Sequence, residues 1–195
     1  MKEFLIGVDE AGRGPLAGPV SVGIVAVPYD FDIKTAFPGV ADSKVLSETK
    51  RELLFERLLE LQAEKVVSYT IVFASAETID REGITKAVLD SIYRGVRELA
   101  PDAATVREVL LDGLLKAPPE YAQQTIIRGD ATEPVISLAS IAAKVSRDRF
   151  MKDLAGKFPE YGFAQHKGYG TRAHIEAIAT HGLCEIHRRS FCRSL

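Results

Sequence analysis

Residues 8–20 read VDEAGRGPLAGPV, and this stretch joins two apolar runs. The runs are FLIGV at residues 4–8 and VSVGIVAV at residues 20–27, and their β-branched residues predict two buried strands. Glycine and proline fill the link between the runs, which favours a turn. The chain is therefore expected to begin with two consecutive strands that pair in antiparallel fashion.

The rest of the chain alternates strands with helices. Further strands are expected at residues 65–73, 105–112 and 123–130. Helices are expected at residues 47–62, 84–100, 134–155 and 171–182. Two strands before any helix, followed by interleaved helices, predict an α/β fold with a mixed central β-sheet flanked by helices in three layers.

Composition bounds the class of protein. A length of 195 residues with 46% hydrophobic content predicts one domain over residues 1–195. The cysteines, Cys184 and Cys192, are too few for a disulfide framework, and residues 4–8 are too short for a signal peptide or a membrane span. We expect a reducing, cytoplasmic setting, no membrane and, by default, a monomer.

Charge is distributed unevenly along the chain. The formal net charge is -2, yet residues 144–195 hold 10 Lys/Arg against 5 Asp/Glu, together with all four histidines. A basic tail suits a polyanionic partner, although a solvated helix face explains such an excess about as often. We expect the helical C-terminal part, residues 134–195, to contribute to substrate binding.

A dinucleotide site is the first candidate for the glycine-rich turn. Gly12, Gly14 and Ala17 satisfy the pattern G-x-G-x-x-G/A after a strand. In that motif the turn opens a helix whose N-terminus faces the pyrophosphate, whereas here the turn runs into a predicted strand. The context therefore argues against a nucleotide cofactor.

Four acids near strand ends offer a second candidate. Asp9 and Glu10 follow residues 4–8, Asp112 ends the fourth predicted strand, and Asp130 ends the fifth. A strand that ended at Asp9 would let Asp9 and Glu10 converge, whereas an extended chain would point them to opposite faces. Crowded carboxylates need a cation, and oxygen ligands favour Mg²⁺ or Mn²⁺, commonly as a pair in phosphoryl chemistry. For any one of these acids, plain solvation is the simpler explanation.

Several ordered motifs closely resemble one family, ribonuclease HII, the type 2 ribonuclease H. Together they run over nearly the whole chain: VDEAGRGPLAGPV, DSKVLS at 42–47, LLDG at 110–113, GDA at 129–131, ASIAAKVSRD at 139–148, HKGYGT at 166–171 and HRRSF at 187–191. The Gly-Arg-Gly form is similar to type HII, since type HIII carries Gly-Lys-Gly there. The sequence departs from the commoner pattern at Arg128-Gly129 and at Ser137-Leu138.

The resemblance implies a ribonuclease H-like fold and a metal-dependent endonuclease. The expected substrates are RNA/DNA hybrids and duplex DNA with single embedded ribonucleotides, cut on the 5′ side to leave 3′-hydroxyl and 5′-phosphate ends. The family's catalytic acids correspond to Asp9, Glu10, Asp112 and Asp130, with the first three as the firmest metal ligands. The family's ribose-sensing residues correspond to Gly12, Arg13, Gly14 and Tyr169.

Other residues in these motifs admit ordinary explanations. Lys44, Lys144, Arg147 and Lys167 are candidates for phosphate contacts, but each is more typical of a solvated or helix-surface cation. Ser140 is interpreted as a packing hydroxyl, and Asp42 and Asp148 as cap or salt-bridge residues. His166, His174, His181 and His187 lack metal-ligand spacing with cysteine and are interpreted as structural or surface residues.

Two alternative functions stay open. One is a metal-dependent nuclease of the same fold with another substrate, such as a DNA resolvase, and residues 12–14 with Tyr169 argue against it. The other is a non-catalytic hybrid-binding protein, and the presence of all four acids argues against that.

Overall fold

A mixed sheet forms the centre of the computed structural model, which describes residues 3–40 and 46–193. Its strands are β1 Phe4–Ala11, β2 Val20–Pro28, β3 Ser68–Ala74, β4 Val106–Asp112 and β5 Gln123–Ile126. They lie in the order β3-β2-β1-β4-β5. The antiparallel pairs are β1 with β2 and β2 with β3, and the parallel pairs are β1 with β4 and β4 with β5. The predicted mixed sheet is confirmed.

The helices follow the predicted order. Their bounds are α1 Ile33–Ala36, α2 Glu48–Ala63, α3 Ala76–Glu82, α4 Ile84–Leu99, α5 Gly129–Thr132, α6 Pro134–Ala155, α7 Phe163–His166 and α8 Arg172–His181. Ser47 caps α2 by accepting a hydrogen bond from the Lys50 amide, and Pro134 lies in the first turn of α6. Helix α3 and the short helices α1, α5 and α7 were not predicted.

Three layers are formed, as predicted. Helix α4 packs its apolar stripe on one face of the sheet, around Ile6, Val8 and Val22. Helices α2 and α6 cover the other face, around Leu5, Val25 and Leu110. Along β1, even-numbered residues therefore face α4 and odd-numbered residues face α6.

Helix α6 approaches the sheet unusually closely. A Cβ atom on Gly7 would lie 2.2 Å from the Val135 carbonyl oxygen, and one on Gly23 would lie 2.2 Å from the Ala139 carbonyl oxygen. Glycine on the sheet and small residues on the helix thus let two backbones touch. The contact places the middle of α6 beside the end of β1, where Gly23 pairs with Asp9.

The C-terminal segment packs on the link between β1 and β2. Ala17 and Met151 share an apolar cluster with Tyr161, Phe163 and Ile178. Ala17 also pairs with His187 in an isolated antiparallel bridge. The glycine-rich link is therefore covered from behind. No helix within the described ranges has the length and apolar character needed to cross a membrane.

Candidate active site

Strand β1 carries the first two acids. The expectation that the strand ends at Asp9 is wrong, because pairing with β2 continues through Glu10 to Ala11. Asp9 therefore points to the α6 face, where it is buried, and Glu10 points to the α4 face. The two carboxylates therefore lie on opposite faces of the sheet, near the C-terminal end of β1.

Asp112 brings a third carboxylate to the same edge of the sheet. It is the last residue of β4, which runs parallel to β1 with Leu111 paired to Val8. Parallel neighbours end at the same edge, so Asp112 lies beside Asp9 and Glu10. This convergence rests on sheet topology and does not require β1 to stop early.

Asp130 occupies a different position from the one expected. Strand β5 ends at Ile126, and Asp130 lies in the first turn of α5 after Arg128 adopts a left-handed conformation. Its amide donates a hydrogen bond to Asp112 Oδ1 at 3.3 Å, and its side chain is 1% exposed. Asp130 therefore contacts the acid cluster from behind through Asp112.

One cleft of about 420 Å³ unites most of the predicted residues. Its walls are formed by Asp9, Glu10, Ala11, Gly12, Arg13, Gly14, Arg51, Asp112, Ser140, Lys144 and Tyr169. Asp130 is absent from this lining. An adjoining, more apolar cleft of about 560 Å³ shares Glu10, Arg13 and Asp112 and continues along α4.

Electrostatics in the cleft disfavour three negative charges. Burial raises the pKa of Asp9 well above its ordinary value, and the charges of Glu10 and Asp112 raise it further, while a hydrogen bond with Ser140 opposes them. Burial also raises the pKa of Glu10; the Arg13 charge opposes this shift and Asp112 adds to it. A bound cation would stabilise the ionised carboxylates.

The donor set fits a hard divalent cation. Carboxylate oxygens dominate it, and the ring nitrogens of His174 and His187 are buried elsewhere in the fold. Over residues 3–40 and 46–193, no group of three Asp, Glu, His or Cys side chains has a ready-made ligand arrangement. The fit therefore rests on donor chemistry and on the mutual repulsion of the acids.

The glycine-rich turn forms another part of the cleft wall. Gly12 adopts a φ of +85°, which L side chains rarely adopt, and this conformation turns the chain at the end of β1. Arg13 projects outward and pairs with Glu10 at 3.5 Å. The Gly168 carbonyl accepts hydrogen bonds from the amides of Leu16 and Ala17 at 2.9 and 3.3 Å, so the turn that carries Tyr169 is tied to this link.

Tyr169 is the exposed aromatic residue of the cleft. Its side chain is 42% exposed between Gly168 and Gly170. Lys144 Nζ lies 6.0 Å from the ring centroid. The structure therefore places Tyr169 in the same cleft as residues 12–14, Asp9, Glu10 and Asp112.

Several interpretations of basic and polar residues need correction. Arg147 was interpreted as a solvated or helix-surface cation, but it is 0% exposed. Lys167 Nζ donates to the Ala164 carbonyl and does not line the cleft. Lys144 lines the cleft and forms an ion pair with Asp148 at 2.8 Å, which confirms a salt bridge for Asp148.

Two cleft residues escaped sequence reasoning. Arg51 extends from α2, and Ser140, interpreted as a packing hydroxyl, lies next to Asp9. Ser140 could have been found from the sequence, because it lies in the motif at residues 139–148 that resembles the family. Arg51 lies in a predicted helix outside those motifs, so nothing in the sequence indicated a place in the site. Asp42 and Lys44 lie outside the described residues.

These features define a class of protein: a domain of the ribonuclease H-like fold with a cluster of carboxylates at one edge of its mixed sheet. The family model described as Ribonuclease HII matches residues 6–194, and the chain belongs to the ribonuclease HII family. It is accordingly an enzyme, a ribonuclease H hydrolase.

Individual relatives agree with this assignment. Ribonuclease HII of Bacillus cereus is 45% identical over 188 residues, covering 96% of this chain and 68% of the relative. The crystal structure of ribonuclease H2 from Pyrococcus horikoshii OT3 matches with a TM-score of 0.79 and 25% identity, covering 97% of this chain and 95% of that one. The structure of Bst-RNase HIII in complex with Mn²⁺ has the same fold at 18% identity, with a TM-score of 0.69, covering 97% of this chain and 65% of that one.

Proposed function

We propose that the protein cuts the RNA strand of RNA/DNA hybrids and incises duplex DNA on the 5′ side of a single embedded ribonucleotide, leaving 3′-hydroxyl and 5′-phosphate ends. One observation carries the proposal: three of the four acids, Asp9, Glu10 and Asp112, line the same cleft as the turn that resembles the family's ribose-sensing motif. Cutting and sugar recognition would then take place at neighbouring positions on one strand.

The proposed cofactor is Mg²⁺ or Mn²⁺, with a pair of ions present during catalysis. Asp9, Glu10 and Asp112 are the proposed ligands, and Asp130 completes the site through its contact with Asp112. When bound, such ions supply an activated water and stabilise charge at the scissile phosphate. Bst-RNase HIII, which shares the fold, was solved with Mn²⁺.

The protein's own groups prepare the cleft for this chemistry. The hydrogen bond with Ser140 favours the ionised form of Asp9, and the Arg13 charge favours that of Glu10. The Asp130 amide holds one oxygen of Asp112. Asp9, Glu10 and Asp112 thereby line one cleft from both faces of the sheet.

Ribose selectivity is assigned to the glycine-rich turn and Tyr169. A 2′-hydroxyl both donates and accepts hydrogen bonds, and it distinguishes RNA from DNA at a given position. Gly12 and Gly14 carry no side chain, so the turn can bring backbone N–H groups close to a sugar, and Tyr169 offers an exposed ring and hydroxyl. Contacts to phosphates are assigned to Arg51 and Lys144, whose charges lie in the cleft.

The same proposal covers the C-terminal part and the cellular setting of the protein. Residues 134–195 contribute Ser140, Lys144 and Tyr169 to the cleft, which supports a role in duplex binding. Cys184 and Cys192 are free thiols, which supports a cytoplasmic setting.

Cleavage of matched duplexes tests the function. An RNA/DNA hybrid, a DNA duplex with one ribonucleotide and the same duplex in DNA alone are incubated with Mg²⁺ or Mn²⁺, with EDTA as the metal-free control. We expect cleavage of the first two only, and none with EDTA. Equal cutting of the all-DNA duplex would instead favour a nuclease of other specificity, and binding of the hybrid without cutting would favour a binding protein.

A further inference from the structure

Two arginines are buried behind the active-site turns. Arg147 on α6 and Arg188 in the C-terminal segment are both 0% exposed. A buried cation normally needs a charged partner or a full set of hydrogen bonds. Within the described ranges no ion pair joins either guanidinium to a carboxylate, so hydrogen bonds to neutral groups must hold them.

Arg188 forms hydrogen bonds with the link between β1 and β2 near both ends of that link. Its Nη2 donates to the Gly12 carbonyl at 2.6 Å and its Nη1 donates to the Arg13 carbonyl at 2.9 Å. Its Nε donates to the Gly18 carbonyl at 2.9 Å. One planar guanidinium therefore fixes three carbonyls of the link.

Arg147 joins this link to the turn that carries Tyr169. It donates to the carbonyls of Pro19, Ala17 and Lys167 at 2.8, 3.2 and 3.0 Å. Its Cζ lies 5.8 Å from the Tyr169 ring centroid. A Cβ atom on Gly12 would lie 1.9 Å from its Nε, so the guanidinium also requires glycine at that position.

The planarity of the peptide bond determines where the neighbouring N–H groups point. The carbonyls of Gly12 and Arg13 point at Arg188, and in a planar trans peptide the next N–H points the opposite way. The amides of Arg13 and Gly14 consequently point away from the guanidinium, in a segment that lines the cleft.

We propose that Arg147 and Arg188 are positioning residues: together they hold the Gly12-Arg13-Gly14 turn and the Tyr169 turn as one rigid platform that presents amides and the tyrosine ring to the ribose. Both lie in matched motifs, and neither arginine lines the cleft or has a role in the proposed cleavage itself. Burial and the neighbouring Arg147 charge lower the pKa of Arg188 to about 9, which still leaves it protonated at neutral pH. The ribose-facing role rests on the proposed function, whereas the rigidity of the platform does not.

Lysine replacements test the platform. Arg188→Lys and Arg147→Lys keep the charge but lose the planar fork that satisfies three carbonyls. Arg149→Lys is the matched control, because Arg149 is on the same helix and pairs with Glu52 and Glu56 at the surface. Each variant is assayed on the single-ribonucleotide duplex at a temperature where circular dichroism shows it to be fully folded.

We expect kcat to fall by about 10-fold or more in both buried-arginine variants, because a small displacement of positioning groups costs rate more than binding. We expect KM to change by less than about threefold, since phosphate contacts carry duplex binding. The control should keep wild-type constants. A fully folded Arg188→Lys with wild-type kcat would overturn the proposal.

A measurement without substrate separates this proposal from the proposed function. Hydrogen exchange of the free protein should accelerate at residues 12–19 and 166–170 in Arg188→Lys, and stay unchanged in Arg149→Lys. Exchange at the wild-type rate in Arg188→Lys would refute the platform, whatever the activity of that variant. An inactive wild type with accelerated exchange in the variant would refute the proposed function and leave the platform intact.

Chemical rescue covers the case in which Arg188→Lys does not fold. Arg188→Ala is assayed with millimolar guanidinium chloride, against sodium chloride of equal concentration. Refilling of the missing site should raise kcat, whereas a variant that is merely unstable would lose activity, because guanidinium weakens folding. Absence of any gain over sodium chloride would count against the platform.

Discussion

Asp112 is the residue that links the acid cluster. It ends β4 beside β1, lines both adjoining clefts and accepts the Asp130 amide. Its charge also raises the pKa values of Asp9 and Glu10. Loss of this one charge therefore affects both acids of β1.

Asp112→Asn should abolish turnover and largely spare duplex binding. The amide removes one negative ligand; because loss of even an outer-shell partner typically costs about 10- to 100-fold, we expect kcat to fall by at least that much. Binding is measured by fluorescence anisotropy with the hybrid. Asp153→Asn, an exposed change on α6, should behave as wild type; a normal rate for Asp112→Asn would refute its role.

Tyr169→Phe should erode selectivity more than stability. The ring and its neighbours stay in place, while the hydroxyl that can meet the ribose is lost. We expect kcat/KM for the single-ribonucleotide duplex to fall while the unfolding free energy stays near wild type. Tyr29→Phe is the matched control at an exposed, distant position; an unchanged kcat/KM in Tyr169→Phe would place ribose recognition elsewhere.

Single residues also show where sequence reasoning stops. The acids were predictable because each follows an apolar run, a local pattern. The burial of Arg147 was not, because its partner Pro19 is 128 positions away in sequence. Because the partners of Arg147 are neutral backbone carbonyls far away in the sequence, no pattern of charged residues indicates that it is buried.

At the scale of elements, the contact of α6 with β1 and β2 places Ser140 beside Asp9. The helix and its small residues were predictable from the sequence, and so were four of the five strands to within about three residues at their ends, as such boundaries allow. The true end of β1 was not, because pairing of Glu10 with Val22 and of Ala11 with Ser21 decides it. Tertiary pairing outweighed the local glycine signal.

Gly23→Ala should separate this helix from the sheet. Its Cβ would meet the Ala139 carbonyl oxygen at 2.2 Å, and forced overpacking of this kind costs about 1–3 kcal/mol of unfolding free energy. Denaturant unfolding measures the loss, and kcat should fall with it. Gly156→Ala, whose Cβ would only touch the Asp153 carbonyl at 3.5 Å, is the control and should leave both values near wild type.

At the scale of the whole molecule, a chain of hydrogen bonds connects the C-terminal segment to the Tyr169 turn. His174 Nδ1 donates to the Tyr169 carbonyl at 2.9 Å, so its Nε2 accepts from His187 Nε2 at 3.1 Å. His187 Nδ1 then accepts from the Cys184 amide at 3.0 Å. Both histidines are neutral in this arrangement, and a proton on either would break it.

The contribution of His187 to stability should therefore fall in acid. Burial and the neighbouring His174 lower the pKa of His187 from 6.5 to about 4. Between these pH values the unfolded chain takes up a proton that the folded protein refuses, so the unfolding free energy decreases as the pH falls. His187→Gln keeps a donor for His174 and should weaken this dependence, with a remainder due to His174, whose pKa burial also lowers. His181→Gln, at an exposed site, should retain the full dependence; identical pH profiles for wild type and His187→Gln would contradict the assignment.

The central claim is that one cleft both cleaves the nucleic-acid strand and recognises the ribose beside the cleavage point. The most direct measurement maps, at single-nucleotide resolution, where an end-labelled DNA duplex with one ribonucleotide is incised in Mg²⁺ or Mn²⁺. We predict one cut, on the 5′ side of the ribonucleotide, with a 3′-hydroxyl end and no cut in the all-DNA duplex. Incision at scattered positions, or on the 3′ side, would contradict the claim.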